Sequence, residues 1–191
     1  MNEAIVHLVS PYVEEYGTLL LDVPEAKLPP PLHGYAWGDT WHVLPVYKES
    51  PLAPQPDVWW VWGLGGFAFS PESVEDVEPF LSRSGELLPV AFSDGGGRLH
   101  VLNVTRVVDC LDLSVEEWEQ GLAEPRFVEH RLGESELFKV PLLAGAHTFC
   151  LEWAGEESFR SRVEENGLSG LGFTTVWTSS GGPAVPNLMR M

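Results

Sequence analysis

Apolar residues in this chain come in short runs separated by proline and glycine. Residues 4–9 (AIVHLV) are a run of strand length, and 57–62 (DVWWVW) is rich in the β-branched and aromatic residues that strands favour. Strand alternation in the second run puts Trp60 and Trp62 on one face and Trp59 and Val61 on the other. Gly63, Gly65 and Gly66 then break it. Residues 24–56 are proline-rich and irregular, with Pro29–Pro31 as a short extended element. Within them, Val43–Lys48 predicts an edge strand, because Pro45 removes a ladder donor.

The first helix is predicted over 70–81. Ser70 suits the N-cap, Pro71 the first helical position, and Glu72 the positive helix end. Val74, Val77 and Leu81 recur at helical spacing, which leaves Glu72, Glu75 and Asp76 on the outer side. A hairpin follows, with arms at 86–93 and 98–103 and a glycine-rich turn at Asp94–Gly97. A second helix starts at Ser114, which makes a capping box with Glu117; Val115, Trp118 and Leu122 face inward and Glu116, Glu117 and Glu119 outward. Residues 127–132, 137–140 and 147–153 read as strands. A third helix spans 155–166, stopped by Gly167 with Leu168 against Val163, and 171–177 is the last strand. Many strands and about three short helices, without regular β-α-β alternation, predict a single α+β domain over 1–191 with a mainly antiparallel sheet. Its parts are a Pro/Trp-rich stretch at 1–65, a central 66–178, and a loose tail at 179–191.

Charge narrows the function. With 28 carboxylates against 11 Lys+Arg, the formal net charge is −17. Such a surface repels nucleic-acid phosphate and anionic lipid, and no basic cluster is present to oppose this. A basic protein partner is compatible with it. The excess is uneven: residues 1–95 hold 14 carboxylates and three bases, whereas 96–191 hold 14 and eight. The first basic residue is Lys27 and no apolar run approaches the ~20 residues of a membrane helix. Cys110 and Cys150 read as separate buried thiols, and together these features place the chain in the cytoplasm.

No catalytic or metal-binding set stands out, and no cofactor is implied. The six histidines form no H-x-x-H or H-x-x-x-H pair; His33, Asp39 and His42 read as ordinary loop residues. Asp109 and Asp112 raise rather than lower the pKa of the Cys110 thiol between them. The glycines at 63–66 lack the lysine and hydroxyl of a phosphate loop. Five of the eight tryptophans fall at 37, 41, 59, 60 and 62. Either they pack a core, or one strand ring joins Trp37 or Trp41 at an interface, where Trp buries much area with few rotors.

Two segments carry a family resemblance. The stretch PFLSRSGELLPVAFSDGGGRLHVLNVTRVVDCLD at 79–112, with its E-L-L-P-V strand and N-V-x-R-V-V-D-x-L-D run, resembles a bacterial immunity-protein family of polymorphic toxin systems. That family is abundant in myxobacteria and was formerly classed as a domain of unknown function. FRSRVEENGLSGLGFTTV at 159–176 is similar to the family's ending: a helix, then G-L-x-G-L-x-F and a strand. The likeness spans roughly the second half and the helix before it, but not residues 1–65. It implies a non-enzymatic protein that binds and neutralises a cognate toxin, and it transfers no catalytic residue. An acidic inhibitor then meets a basic toxin domain, and the candidate contacts are Glu72, Glu75, Asp76, Glu116, Glu117, Glu119, Trp37 and Trp41. Two alternatives stay open: a small-molecule or glycan-binding module built on residues 37–62, and an enzyme with a carboxylate site at His100, Asp109 and Asp112.

Overall fold

A computed structural model describes residues 2–112, 126–134, 136–141 and 147–181. In chain order the described elements are β1 (Ala4–Pro11), α1 (Val13–Tyr16), β2 (Leu19–Leu21), β3 (Leu44–Lys48), β4 (Val58–Val61), β5 (Gly66–Phe69), α2 (Pro71–Ser84), β6 (Gly85–Phe92), β7 (Arg98–Val104), α3 (Glu129–Leu132), β8 (Leu137–Phe138), β9 (Thr148–Trp153), α4 (Phe159–Glu165) and β10 (Leu171–Thr178). The strands form two bodies. One is an antiparallel sheet of order β10-β1-β9-β8; the other is a closed barrel, β2-β3-β6-β7-β5-β4.

The helices and strands expected from local signals are largely present. Ser70 accepts a hydrogen bond from the Ser73 N–H at 3.1 Å and caps α2, with Pro71 in its first turn. The helix runs past 81 to Ser84 because Phe80, Leu81 and Ser84 are all buried. Pro79 lies on its exposed side, where the carbonyl it frees can bond water. In α4, Ser158 and Ser161 exchange the reciprocal bonds of a capping box, so the helix begins at Phe159 rather than near 155. It ends as expected: the Leu168 N–H reaches the Val163 carbonyl at 3.0 Å, and Gly167 takes φ 65°.

The departures are non-local. The strands pair mainly antiparallel, but they form two bodies rather than one sheet: beside the antiparallel sheet stands a barrel in which β2–β4 and β3–β6 pair parallel. In that barrel β3 is not an edge: it pairs antiparallel with β2 and parallel with β6. Pro45 is tolerated because its carbonyl accepts from Asp22 at 2.8 Å, just where β2 ends, so the missing donor faces no further strand residue. Residues 127–132 are not a strand. Phe127 and Leu132 both bury in one core, whereas a spacing of five would place them on opposite faces of a strand. The chain instead turns into α3. The described residues hold four helices rather than about three, and the helix expected from Ser114 lies outside them, as does most of the expected tail.

The barrel is filled by Leu19, Val46, Trp59, Val61, Ala68, Leu88, Val90, Leu99 and Val101, closed over by Leu32 and Leu64. The opposite faces of its strands pack on the sheet and on α2 and α4. Here Val58, Phe67, Phe69, Leu102 and Val104 meet Val9, Cys150 and Leu171 in one core. Phe159, 1% exposed, stands at its centre, edge-on to Phe69, Phe80 and Phe173. A second junction ties β4 to the start of β10. Asp57 accepts from both the N–H and the hydroxyl of Ser169, at 2.8 and 2.6 Å. At Gly170, with φ 97°, a Cβ would lie 2.0 Å from the Val58 carbonyl, so only glycine fits.

A Phe159→Ala substitution removes the ring that all three partners share. We expect it to cost about 3–5 kcal/mol in urea denaturation. Ser158→Ala, which removes only the cap of the same helix, should cost about 1 kcal/mol.

Candidate partner-binding surfaces

The loop between β2 and β3 carries Trp37 and Trp41 around a short turn at Gly38–Thr40. Their rings meet edge-on, with centroids 5.4 Å apart, and both are half-buried against the barrel. The Trp41 indole N–H donates to the Pro89 carbonyl at 3.0 Å. The backbone N–H groups of Trp37 and Gly38 donate to the two oxygens of Glu86 at 2.8 and 2.9 Å. Asn103, fully buried and opposite Glu86 in the β6–β7 ladder, donates to the same carboxylate at 3.0 Å and to the Tyr35 carbonyl at 2.8 Å. Partial burial of Glu86 opposes its ionisation, but the bonds from Trp37, Gly38 and Asn103 outweigh this and hold its pKa below the ordinary carboxylate value. The loop is therefore clamped, and it presents Tyr35, 81% exposed, to solvent.

On α2 the carboxylates Glu72, Glu75 and Asp76 are exposed, as their spacing predicts, and Glu78 joins them. None of the four is in an ion pair with a described residue. Every described ion pair takes its carboxylate from the second half: Glu136 with Arg83, Glu152 with His7 and Arg160, Glu164 with Arg160, and Glu157 with Arg162. The charge excess of residues 1–95 is thus left unneutralised by these contacts. Glu116, Glu117 and Glu119 lie outside the described residues.

A third feature was not singled out from sequence. An apolar groove of about 360 Å³ opens between the end of β1, α1 and the β4–β5 turn. Its walls are Leu8, Pro11, Val13, Trp60, Trp62 and Phe67, with Ser10, Thr18, His147 and Thr148 as the polar part. Trp60 and Trp62 share a face, as alternation predicts, but their fates differ. Trp60 stacks edge-on to Phe67 with centroids 5.1 Å apart, while Trp62 is 66% exposed. The alternation was the available signal; Pro11 and Val13 join the groove only through tertiary packing.

The remaining chemistry is dispersed. Asp109 and Asp112 are exposed, while His100 is half-buried in the barrel wall. Neither the groove nor the small acidic cleft at Glu134, Glu136 and Glu156 is lined by any of the three. Among the described residues no three His, Cys, Asp or Glu side chains are gathered to hold a metal. Cys110 and Cys150 are free and buried, and burial pushes both thiols up to about 12. No helix among the described residues is long and apolar enough to cross a membrane.

Among the described residues the distinguishing features are therefore the clamped tryptophan loop, the outer carboxylates of α2 and the apolar groove. In the comparison with known families, residues 90–178, just under half of the chain, match the Immunity protein family (Imm11). The resemblance noted in the sequence is thereby borne out over that segment, and it points to toxin immunity. No curated protein matches the chain.

The Glu86 clamp is testable by pH. Because its folded-state pKa is lowered, its contribution is complete above the ordinary carboxylate value of 4.5 and is lost as pH falls through the folded value. The protection of the Trp37 and Gly38 amides from exchange, relative to the intrinsic rate at each pH, should fall on acidification. In Glu86→Ala it should already be low at neutral pH, while protection in β9 stays high.

Proposed function

We propose that this chain is a cytoplasmic immunity protein that binds a cognate, basic toxin domain through its acidic surface and neutralises it without catalysis or cofactor. The observation that carries the reading is the family match over residues 90–178. The uncompensated carboxylates of the first half support the acidic route. They create a potential that draws a basic partner in and discriminates against acidic ones. Glu72, Glu75 and Asp76 on α2 are steering residues of this reading, as are Glu116, Glu117 and Glu119. Trp37 and Trp41, half-exposed at the clamped loop, are secondary contacts. We also propose that the chain acts as one unit over 1–191; supporting this, β1 lies between β9 and β10, so the matched segment draws on the N-terminal strand to complete its sheet.

The test is co-expression with the toxin encoded beside it. Cells should survive only with this protein present, and the purified pair should associate at low salt. Equal killing with and without it, and no complex, would overturn the proposal. The triple Glu72→Lys, Glu75→Lys, Asp76→Lys should lower the association rate several-fold and flatten its salt dependence, with a much smaller change in dissociation. Stopped-flow mixing at two ionic strengths measures both.

A further inference from the structure

Long-range charge steers a partner, but holding it calls for apolar contact, which the outer carboxylates of α2 do not supply. The groove beside β1 does. Its walls are aromatic and aliphatic, it has the volume of a ligand-sized pocket, and Trp62 at its margin is two-thirds exposed in the free protein. An exposed Trp against an apolar recess is the composition that dominates binding energy at protein interfaces.

The surroundings of the groove identify what fits it. Thr18, in its lining, donates to Glu49 at 2.6 Å, which places that carboxylate beside the recess. Glu14 and Glu15, both exposed, directly follow Val13 of the wall. Among the described residues that line the groove there is no Lys or Arg. Lys48, the base next to Glu49 in sequence, carries its ammonium away, over the Trp59 ring and onto Gln55. Burial, and after it the nearby Lys139 charge, lowers the pKa of His147. The result is an apolar slot with carboxylates beside it.

From this we infer that the groove is the anchoring site for the toxin, receiving an apolar, preferably aromatic, side chain flanked by Lys or Arg. The inference rests on the immunity reading and deepens it by separating two tasks. The α2 carboxylates act on encounter, and the groove acts on residence. Apolar burial of the incoming side chain supplies the hold, and Glu14, Glu15 and Glu49 pair with its basic neighbours at the margin.

The experiment is surface-plasmon kinetics with the catalytically silenced toxin domain encoded beside this chain, against wild type, Trp62→Ala, Val13→Lys and Trp62→Phe. Trp62 is largely exposed and Val13 partly so, which leaves the cores intact; circular dichroism checks this. We expect Trp62→Ala and Val13→Lys each to raise the dissociation rate by about tenfold or more, with association changed less than about twofold, and Trp62→Phe to restore most of the hold. If wild type binds and protects but neither groove variant dissociates faster, the groove inference is overturned and the immunity reading stands. If wild type neither binds nor protects, both fall. A sugar panel followed by Trp fluorescence provides a further arm. A saturable response that Trp62→Ala abolishes, with toxin kinetics unchanged, would assign the groove to a glycan and overturn the inference.

Discussion

The structure depends on burying both faces of the strands β4, β5 and β7. Side chains alternate along a strand, so a barrel wall that also serves as packing surface for other elements must be apolar at successive positions. In β5 this is complete: Ala68 points into the barrel, while Phe67 and Phe69 point out to the sheet and helices. In β7, Leu99 and Val101 fill the barrel, and Leu102 and Val104 fill the shared core. The same division separates Trp59 and Val61 from Val58 and Trp60 in β4. Phe159 matters because it lies at the meeting of the outward faces with α2 and the sheet. The barrel and the sheet hold together because their cores share a wall.

This two-sided burial also explains which parts of the fold could be read from the sequence. Signals contained within a few residues were legible: the Ser70–Pro71 start of α2, the glycine turn of the β6–β7 hairpin, and the Gly167 stop of α4. Each depends on a single backbone conformation or one short-range hydrogen bond. Partnerships across the chain were not. Nothing near Leu44–Lys48 announces a parallel pairing with β6, because parallel strands need no turn between them. β5 was hidden behind the glycines of 63–66, although Gly66 is a strand residue: a Cβ there would lie 2.9 Å from Val101 and 3.0 Å from Leu32. The candidate site divides in the same way. The outward carboxylates of α2 followed from helical spacing, but the groove needed three segments to meet.

The segment that matches the immunity family contains β7 to β10 and part of β6, but it does not contain the strand that joins its own sheet. β1 registers against both neighbours along its length, with His7 opposite Cys150 on one side and Thr175 on the other. His7 is buried there, with Glu152 at 3.4 Å and the Thr175 hydroxyl at 3.2 Å. Lys139, also buried, reaches back from beside β8 to the Leu32 carbonyl above the barrel. The N-terminal half therefore completes the matched half in two places, once through a ladder and once through a buried ammonium. It cannot vary freely at those positions, whatever latitude its exposed loops have.

That constraint gives the net charge of −17 an internal structure. In the second half, carboxylates meet the arginines of α2 and α4 in ion pairs. In the first half, Asp57 and Glu86 accept hydrogen bonds from neutral donors and clamp the β4–β10 junction and the tryptophan loop. Neutral donors satisfy a carboxylate's lone pairs but leave its charge in place. The same residues thus fix local structure and still contribute to the field outside, a combination that ion pairing would have cancelled. Charge retained in this way acts over the Debye length, about 8 Å at physiological salt, whereas apolar contact acts only on touching. Both kinds of surface occur here, unneutralised carboxylates and an apolar groove, and most of the residues that form them fall within 1–95.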